Sequence, residues 1–193
     1  MFTIGIEGLI KAGKSTLAHF LAEVLKAKLI SEYGVYTKGS AAFPKYPPTT
    51  LDEAIDAVNF FVKVERLRMN DFYSDNGIVI LDRTYLTCVA FDYAASHFTG
   101  FDISNESWRI WNDSPRIEPD LILFLDVSNK ELDRRLTATR HVYLPHFYQP
   151  EFNFYIRRFF IDLEDRRIKK INSDQHLMIV QQEALSLLDP TFY

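Results

Sequence analysis

The sequence predicts an α/β fold built on a parallel sheet of about five strands with helices on both faces. Three observations carry that reading. Short runs that are apolar throughout, such as Phe2 to Ile6, Ile78 to Leu81 and Leu121 to Leu125, alternate with segments of helical periodicity. Strands without polar alternation are strands buried on both faces. The runs also end on polar residues: Glu7-Gly8, Glu32, Asp82-Arg83 and Asp126. In open parallel sheets, ligands gather beyond the carboxyl ends of the strands. Finally, Gly8-Leu9-Ile10-Lys11-Ala12-Gly13-Lys14-Ser15-Thr16 fits the pattern G-x-x-x-x-G-K-S/T between the first strand and the first helix.

The elements follow in order. After Phe2 to Ile6, Leu17, Phe20, Leu21, Val24 and Leu25 fall at helical spacing, so 15–28 reads as a helix. Ala27 to Ser31 reads as a second strand. Residues 33–50 hold two glycines and three prolines and read as a loop. Leu51 to Tyr73 is a long helical pattern stopped by Asp75-Asn76-Gly77. Ile78 to Leu81 is β-branched and buried. Tyr85 to His97 is helical, and a short helix is expected around Ser107 to Trp111. Leu121 to Leu125 is a further strand, and Lys130 to Thr139 a helix. The loop 140–150 is bounded by Pro145 and Pro150. Phe152 to Lys170 reads as a helix, with a short strand near Ile168 to Ile171 and a last helix from Gln175 to Leu188.

The 193 residues carry a net charge of -4 and are 47% hydrophobic. These values suit one globular domain with a sizeable core. The acidic balance argues against nucleic acid as the main partner. One cysteine, Cys88, excludes an internal disulfide and fits a reducing cytosol. The first strand leads directly into the glycine-rich loop, no run is long enough to span a membrane, and a cytoplasmic location is expected. With 16 Phe, 10 Tyr and 2 Trp, aromatic side chains can fill a core and also line a pocket for a flat ligand.

The glycine-rich motif is a P-loop. Its backbone amides turn inward around a polyphosphate, Lys14 reaches the outer phosphates and Ser15 Oγ can sit on Mg²⁺. Gly8, Ile10, Lys11, Ala12, Gly13, Lys14, Ser15 and Thr16 are therefore the expected nucleotide-binding residues. Asp82-Arg83 ends a central strand. An acid there serves Mg²⁺ or a hydroxyl, and a cation serves a phosphate, although Asp82 also suits the cap of the helix from Tyr85. Glu32 is placed to take a proton from an attacking hydroxyl, or is a solvated strand-end carboxylate. Arg66 follows Asn59 by seven residues, so the two share a helix face. Beside Phe60, that face can read a base edge, or it is a charged stripe over core phenylalanines. Arg134, Arg135 and Arg140 precede the proline-bounded loop and are candidates for a lid over 135–152, or a basic helix end. The five histidines lack metal-ligand spacing.

Together these motifs resemble the deoxynucleoside kinase and thymidylate kinase superfamily over nearly the whole chain. Ile6-Glu7-Gly8 with Ala12-Gly13-Lys14-Ser15-Thr16 is similar to the P-loop of both branches. Asp82 to Asp92 resembles the thymidylate kinase stretch D-R-Y-x-x-S-x-x-A-Y-Q, and Pro119 to Val127 the shared P-D-L-x-x-x-L-D-V strand. At the third P-loop position thymidylate kinases usually carry a charged residue. Ile10 is instead similar to the nucleoside kinases. Val58-Asn59 and Glu65-Arg66-Leu67-Arg68 reproduce the nucleoside kinase spacing F-Q-x(6)-S-R-x-R with Asn for Gln. Asp82-Arg83-Thr84 departs from E-R-S, and R-G-R-x-E-E is absent, Arg140 and Glu151 being its nearest counterparts.

The resemblance implies a three-layer P-loop kinase fold, ATP and Mg²⁺ as cofactors, and a small-molecule nucleoside or nucleotide as substrate. It also implies a homodimer. Glu32, Asp82, Arg83, Lys14 and Arg140 are the expected catalytic residues, with Ser15 and Asp82 toward the metal. Asn59, Phe60, Arg66, Thr87, Phe91, Asp92 and Glu151 are expected at the acceptor. The favoured reaction is phosphoryl transfer to a 5′-hydroxyl. A nucleoside monophosphate kinase, a kinase of another metabolite and a regulatory ATPase are the alternatives.

Overall fold

The structure is a computed structural model and describes residues 1–37, 39–72, 77–138 and 145–188. Five strands form one parallel sheet: β1 (Phe2–Gly8), β2 (Lys28–Ile30), β3 (Ile78–Asp82), β4 (Leu121–Asp126) and β5 (Ile168–Asn172). Their order is β2-β3-β1-β4-β5. β1 is central because it carries no charge until Glu7 and is buried from Thr3 onward. Ile6 pairs with Asp82 and Gly8 with Leu125, so the carboxyl ends of the three middle strands finish near one level.

Eight α-helices occur among the described residues: α1 (Lys14–Val24), α2 (Tyr33–Tyr36), α3 (Leu51–Phe72), α4 (Tyr85–Thr99), α5 (Ile103–Asn112), α6 (Asn129–Thr137), α7 (Pro150–Asp162) and α8 (Leu177–Ser186). They cover both faces of the sheet. Along β3, Ile80 joins the main core with Ile4, Ile6 and Leu17. Its neighbours Val79 and Leu81 face the other way, onto Ile30, Ile117 and the α3 residues Met69 and Phe72. This is why β3 needs apolar side chains at consecutive positions.

Several boundaries differ from the sequence reading. The stretch read as a loop holds α2. The short helix expected at Ser107 begins at Ile103, because the Asp102 side chain accepts from Asn105 N at 3.1 Å and caps it. α7 stops at Asp162 rather than running to Lys170. Glu164 turns left-handed at φ 47°, and Asp165 Oδ1 accepts from Arg167 N at 2.9 Å. That side-chain bond replaces the helical ladder and sends the chain into β5. The cap of α4 is Thr84, which accepts from Leu86 N at 3.1 Å. Asp82 is thereby free of the capping role.

One buried pair holds the carboxyl edge of the sheet. Arg68 on α3 is fully buried and donates from Nε to Ser31 O at 3.1 Å, and from Nη2 to Arg83 O at 2.7 Å and Asp82 O at 3.5 Å. Nη1 meets Glu65 Oε2 at 2.8 Å. Glu65 also accepts from the Tyr33 hydroxyl at 2.9 Å and from Ile117 N at 3.1 Å, while the Tyr33 ring covers the guanidinium at 4.3 Å. Arg68→Met strands Glu65 as a buried charge and should lower stability by about 3–5 kcal/mol in urea unfolding. A loss below about 1 kcal/mol would mean that the pair contributes no more than an exposed one.

Candidate active site

The P-loop leaves β1 at Gly8, whose φ of 142° lies in the region that favours glycine. A Cβ there would meet the Leu125 carbonyl oxygen at 2.5 Å, so the close passage over β4 excludes any side chain. Lys11 and Gly13 also take positive φ, and Gly13 opens α1. Ser15 and Thr16 are exposed in the first turn of that helix. A helix N-terminus at the mouth of this loop favours an anion. The loop is braced from behind. Arg135 on α6 donates to Lys11 O at 3.0 Å and to Ser173 Oγ at 3.2 Å, and Ser173 Oγ donates to Ala12 O at 2.5 Å. Beside this brace lies a cavity of about 200 Å³ lined by Gly13, Thr16, Arg135 and Gln175 among others.

Lys14 is buried and folds back so that Nζ donates to Leu9 O at 2.5 Å. Its ammonium is pushed down to about 7, first by burial and then by Arg83, against the opposing pull of Asp82, Glu7 and Glu32. Charged groups from three strand ends therefore surround one lysine. Asp82 is 6% exposed and its Oδ1 has no hydrogen-bond partner. Arg83 stands at φ 72°, a left-handed conformation that costs a non-glycine residue about 1–3 kcal/mol when fully strained. Its amide donates to Ile6 O at 3.2 Å and its carbonyl accepts from Arg68, so both sides of the turn are held. The Arg83 Nε lies 3.5 Å from Glu32 Oε2, the carboxylate being half-exposed at the start of α2.

Glu7 lies beneath this group. It is fully buried, with Oε1 accepting from Thr84 N and Oγ1 at 2.7 Å each and Oε2 accepting from Thr87 Oγ1 at 2.5 Å. It ties β1 to the start of α4. Glu7, Ile10, Arg83, Thr87, Phe91, Phe147 and Asn153 line a narrow cavity of about 10 Å³, the size of one water site. Phe147, from a 3-10 turn at Pro145–Tyr148, closes it against Phe91 at a ring distance of 5.7 Å.

Five residues expected at the acceptor are not brought to this cavity. Asn59 and Arg66 are exposed on α3, because that helix turns Val58, Val62, Glu65 and Arg68 inward. Asp92 is buried but accepts from Ser107 Oγ at 2.6 Å, which binds α4 to α5, and burial pushes its carboxyl up to about 7. Glu151 is exposed in the first turn of α7. Phe60 packs edge-on to Phe43 and Phe61. Arg140, and with it part of the expected lid, lies outside the described residues. Of the other arginines read as lid candidates, Arg135 braces the P-loop and Arg134 pairs with Glu131 on the surface of α6. Conversely, Asn153 is absent from the sequence reading, and Glu7 enters it only as a polar strand end with no role assigned. Asn153 had one legible signal: it is a polar residue at an inward position of an aromatic helix that buries Phe152, Ile156, Phe159 and Phe160.

Asp82 Oδ1 and the Ser15 hydroxyl are hard oxygen donors of the kind Mg²⁺ takes together with phosphate oxygens and water. No group of three or more His, Cys, Asp or Glu among the described residues could hold a metal ion by itself. Two such oxygens fit a cation whose remaining ligands are phosphate oxygens and water.

A parallel five-stranded sheet with a P-loop on its central strand and an Asp-Arg turn beside it defines a P-loop phosphotransferase. The model of the thymidylate kinase family matches residues 6–184, and the chain belongs to that family. The fold is also that of deoxyadenosine kinase from M. mycoides, solved with bound dATP, at 16% identity and a TM-score of 0.75, covering 96% of this chain and 98% of that one. Thymidylate kinase from Candida albicans aligns at 20% identity and a TM-score of 0.69 over 96% and 90% of the chains. Thymidylate kinase from Ehrlichia chaffeensis aligns at 19% identity and 0.68 over 97% and 98%. A search of curated protein sequences finds no match. The protein is thus a kinase of the nucleoside and nucleotide kinase type, with structural neighbours of both kinds. No helix among the described residues is long and apolar enough to cross a membrane.

The depressed Lys14 ammonium has a signed consequence. Between about 7 and 10.5 the unfolded chain binds the proton that the folded chain lacks, so stability rises with pH across that window. Phosphate oxygens beside Nζ oppose the depression. Binding of a nucleoside triphosphate near pH 8 should therefore take up a fraction of a proton at Lys14. Calorimetry in buffers of different ionisation enthalpy reads that uptake. Lys14→Met should remove it; equal uptake in both proteins would place the proton elsewhere.

Proposed function

We propose that the protein transfers the γ-phosphoryl group of ATP to the 5′-hydroxyl of a nucleoside or deoxynucleoside. The P-loop amides and Lys14 hold the outer phosphates. The 200 Å³ cavity between Arg135 and Gln175 is the space for the donor base. Ser15 and Asp82 would hold Mg²⁺, which when bound neutralises charge on the phosphates. Glu32 takes the proton as the hydroxyl oxygen attacks phosphorus and the bond to ADP breaks. Arg83 stabilises charge on the group in transfer. Catalysis of this kind is positioning and charge neutralisation, with little covalent work by the protein.

The observation that carries this reading is the Glu32–Arg83 pair, 3.5 Å apart, at the edge of the charged group around Lys14. A base and a cation side by side suit a hydroxyl acceptor and the phosphoryl group it receives. Ile10 supports it as an apolar residue in the same cavity. The acceptor base belongs among Thr87, Phe91 and Asn153, and it enters as the Phe147 ring turns out of the cleft while the Phe147 carbonyl keeps its bond to Asn153 Nδ2. Asn59, Arg66, Asp92 and Glu151 have no part in this assignment.

Membership of the thymidylate kinase family favours a second reading, with a nucleoside monophosphate as acceptor and its phosphate on Arg83. ADP release with ATP-Mg²⁺ against nucleosides and their monophosphates, with product mass as readout, separates the two. A monophosphate formed from a nucleoside is the expected product; a diphosphate formed from a monophosphate would select the second reading. Glu32→Gln should lower kcat about 10²- to 10⁴-fold with little change in KM. Full activity in Glu32→Gln would remove Glu32 as base, and near-normal turnover in Lys14→Ala would sink the kinase assignment for this site.

A further inference from the structure

Asn153 is 4% exposed and lines the cleft cavity. Its Nδ2 donates to the Phe147 carbonyl at 3.0 Å, which settles the orientation of the amide. Oδ1 is then left buried without a partner, one of only three such side-chain atoms among the described residues. Such an acceptor costs about 1–3 kcal/mol when nothing bonds to it. Across the cavity, Thr87 gives its hydroxyl proton to Glu7 Oε2 at 2.5 Å. Arg83 Nη1 reaches Thr87 Oγ1 only at 3.5 Å, so a Thr87 lone pair remains available. Asn153 and Thr87 therefore offer acceptors, and Arg83 supplies the cavity's cationic donor.

We infer that Asn153 selects the acceptor by its base, with Oδ1 accepting a hydrogen bond from the exocyclic amino group of an adenine- or cytosine-type ring. The inference rests on the nucleoside reading above and narrows it. A keto group at the same place would set one oxygen against another. Thr87 can accept the second amino proton, and Phe91 offers the ring a flat face. A sugar hydroxyl carries the same donor chemistry, and the experiment separates the two.

Values of kcat/KM are measured for 2′-deoxyadenosine, for purine 2′-deoxyriboside, which lacks only the amino group, and for 2′,3′-dideoxyadenosine. The 5′-monophosphates are run in parallel. The wild type should prefer the amino compound by about tenfold or more. Asn153→Leu removes the acceptor and should bring that preference below about threefold. Asn153→Asp keeps an acceptor but loses the bond to Phe147, and should keep the preference. A wild-type preference below about threefold overturns the inference without any variant. So does a preference that survives in Asn153→Leu. Loss in that variant of the preference for 2′-deoxyadenosine over 2′,3′-dideoxyadenosine, with the amino preference intact, overturns it in favour of a sugar hydroxyl. No turnover of any nucleoside or monophosphate overturns the nucleoside reading itself, and this inference with it.

Discussion

Arg68 spends its guanidinium donors on three separate pieces of chain. One goes to the end of β2 at Ser31, one to Glu65 on its own helix, and the others to the Asp82-Arg83 turn after β3. Ser31 and Arg83 lie one residue past β2 and β3, and Asp82 is the last residue of β3. Unpaired, each carbonyl would be a buried polar group with a desolvation cost. One planar cation meets all of them because the guanidinium fork holds its donors in fixed directions. Glu65 balances the charge and reaches on to Tyr33 and Ile117. The network thereby sets the spacing between β2, β3 and α3, and with it the level of Glu32, Asp82 and Arg83.

On that edge the charges are arranged around a single lysine. Asp82, Arg83, Glu7 and Glu32 all act on Lys14, and burial acts more strongly than any of them. A lysine in this state is short of negative charge. The positive φ of Arg83 has the same logic: its backbone is held between Ile6 and Arg68 so that its side chain lies toward Glu32 and Thr87. Glu7 performs the matching task on the other side by binding Thr84 and Thr87 to the end of β1. The charged edge is thus held on both sides of Lys14. The cleft beside it is closed by aromatic packing of Phe147 on Phe91, a contact without hydrogen bonds between the two rings. Such packing separates without stranding polar groups between the rings, which suits an entrance.

Much of this was legible in the sequence. The P-loop pattern depends on glycine, lysine and serine at fixed local offsets, and local offsets are visible in a linear string. The buried parallel strands were visible because burial on both faces demands consecutive apolar residues. The polar residues at their ends pointed to one crevice because parallel strands all finish on the same side. Ile10, Asp82, Arg83 and Glu32 were read from these local patterns, and Thr87 and Phe91 from the resemblance to the thymidylate kinase stretch; the structure places Ile10, Arg83, Thr87 and Phe91 on one cavity.

What the sequence left open was the direction of side chains on helices and the partners they meet across long separations. Asn59 and Arg66 share a face as their spacing requires, yet that face is exposed, because α3 spends its inward positions on Val58, Val62, Glu65 and Arg68. Asp92 is within one helical turn of Phe91 but turns to Ser107 on α5. Arg135 meets Lys11 and Ser173 meets Ala12 across most of the chain. Local pattern alone therefore determined the fold class and the phosphate-binding loop, since backbone geometry there follows from neighbouring residues. Which arginine is structural, which acid faces the cleft and which amide lines it were decided only by tertiary packing. These depend on which buried polar groups find partners when distant segments come together.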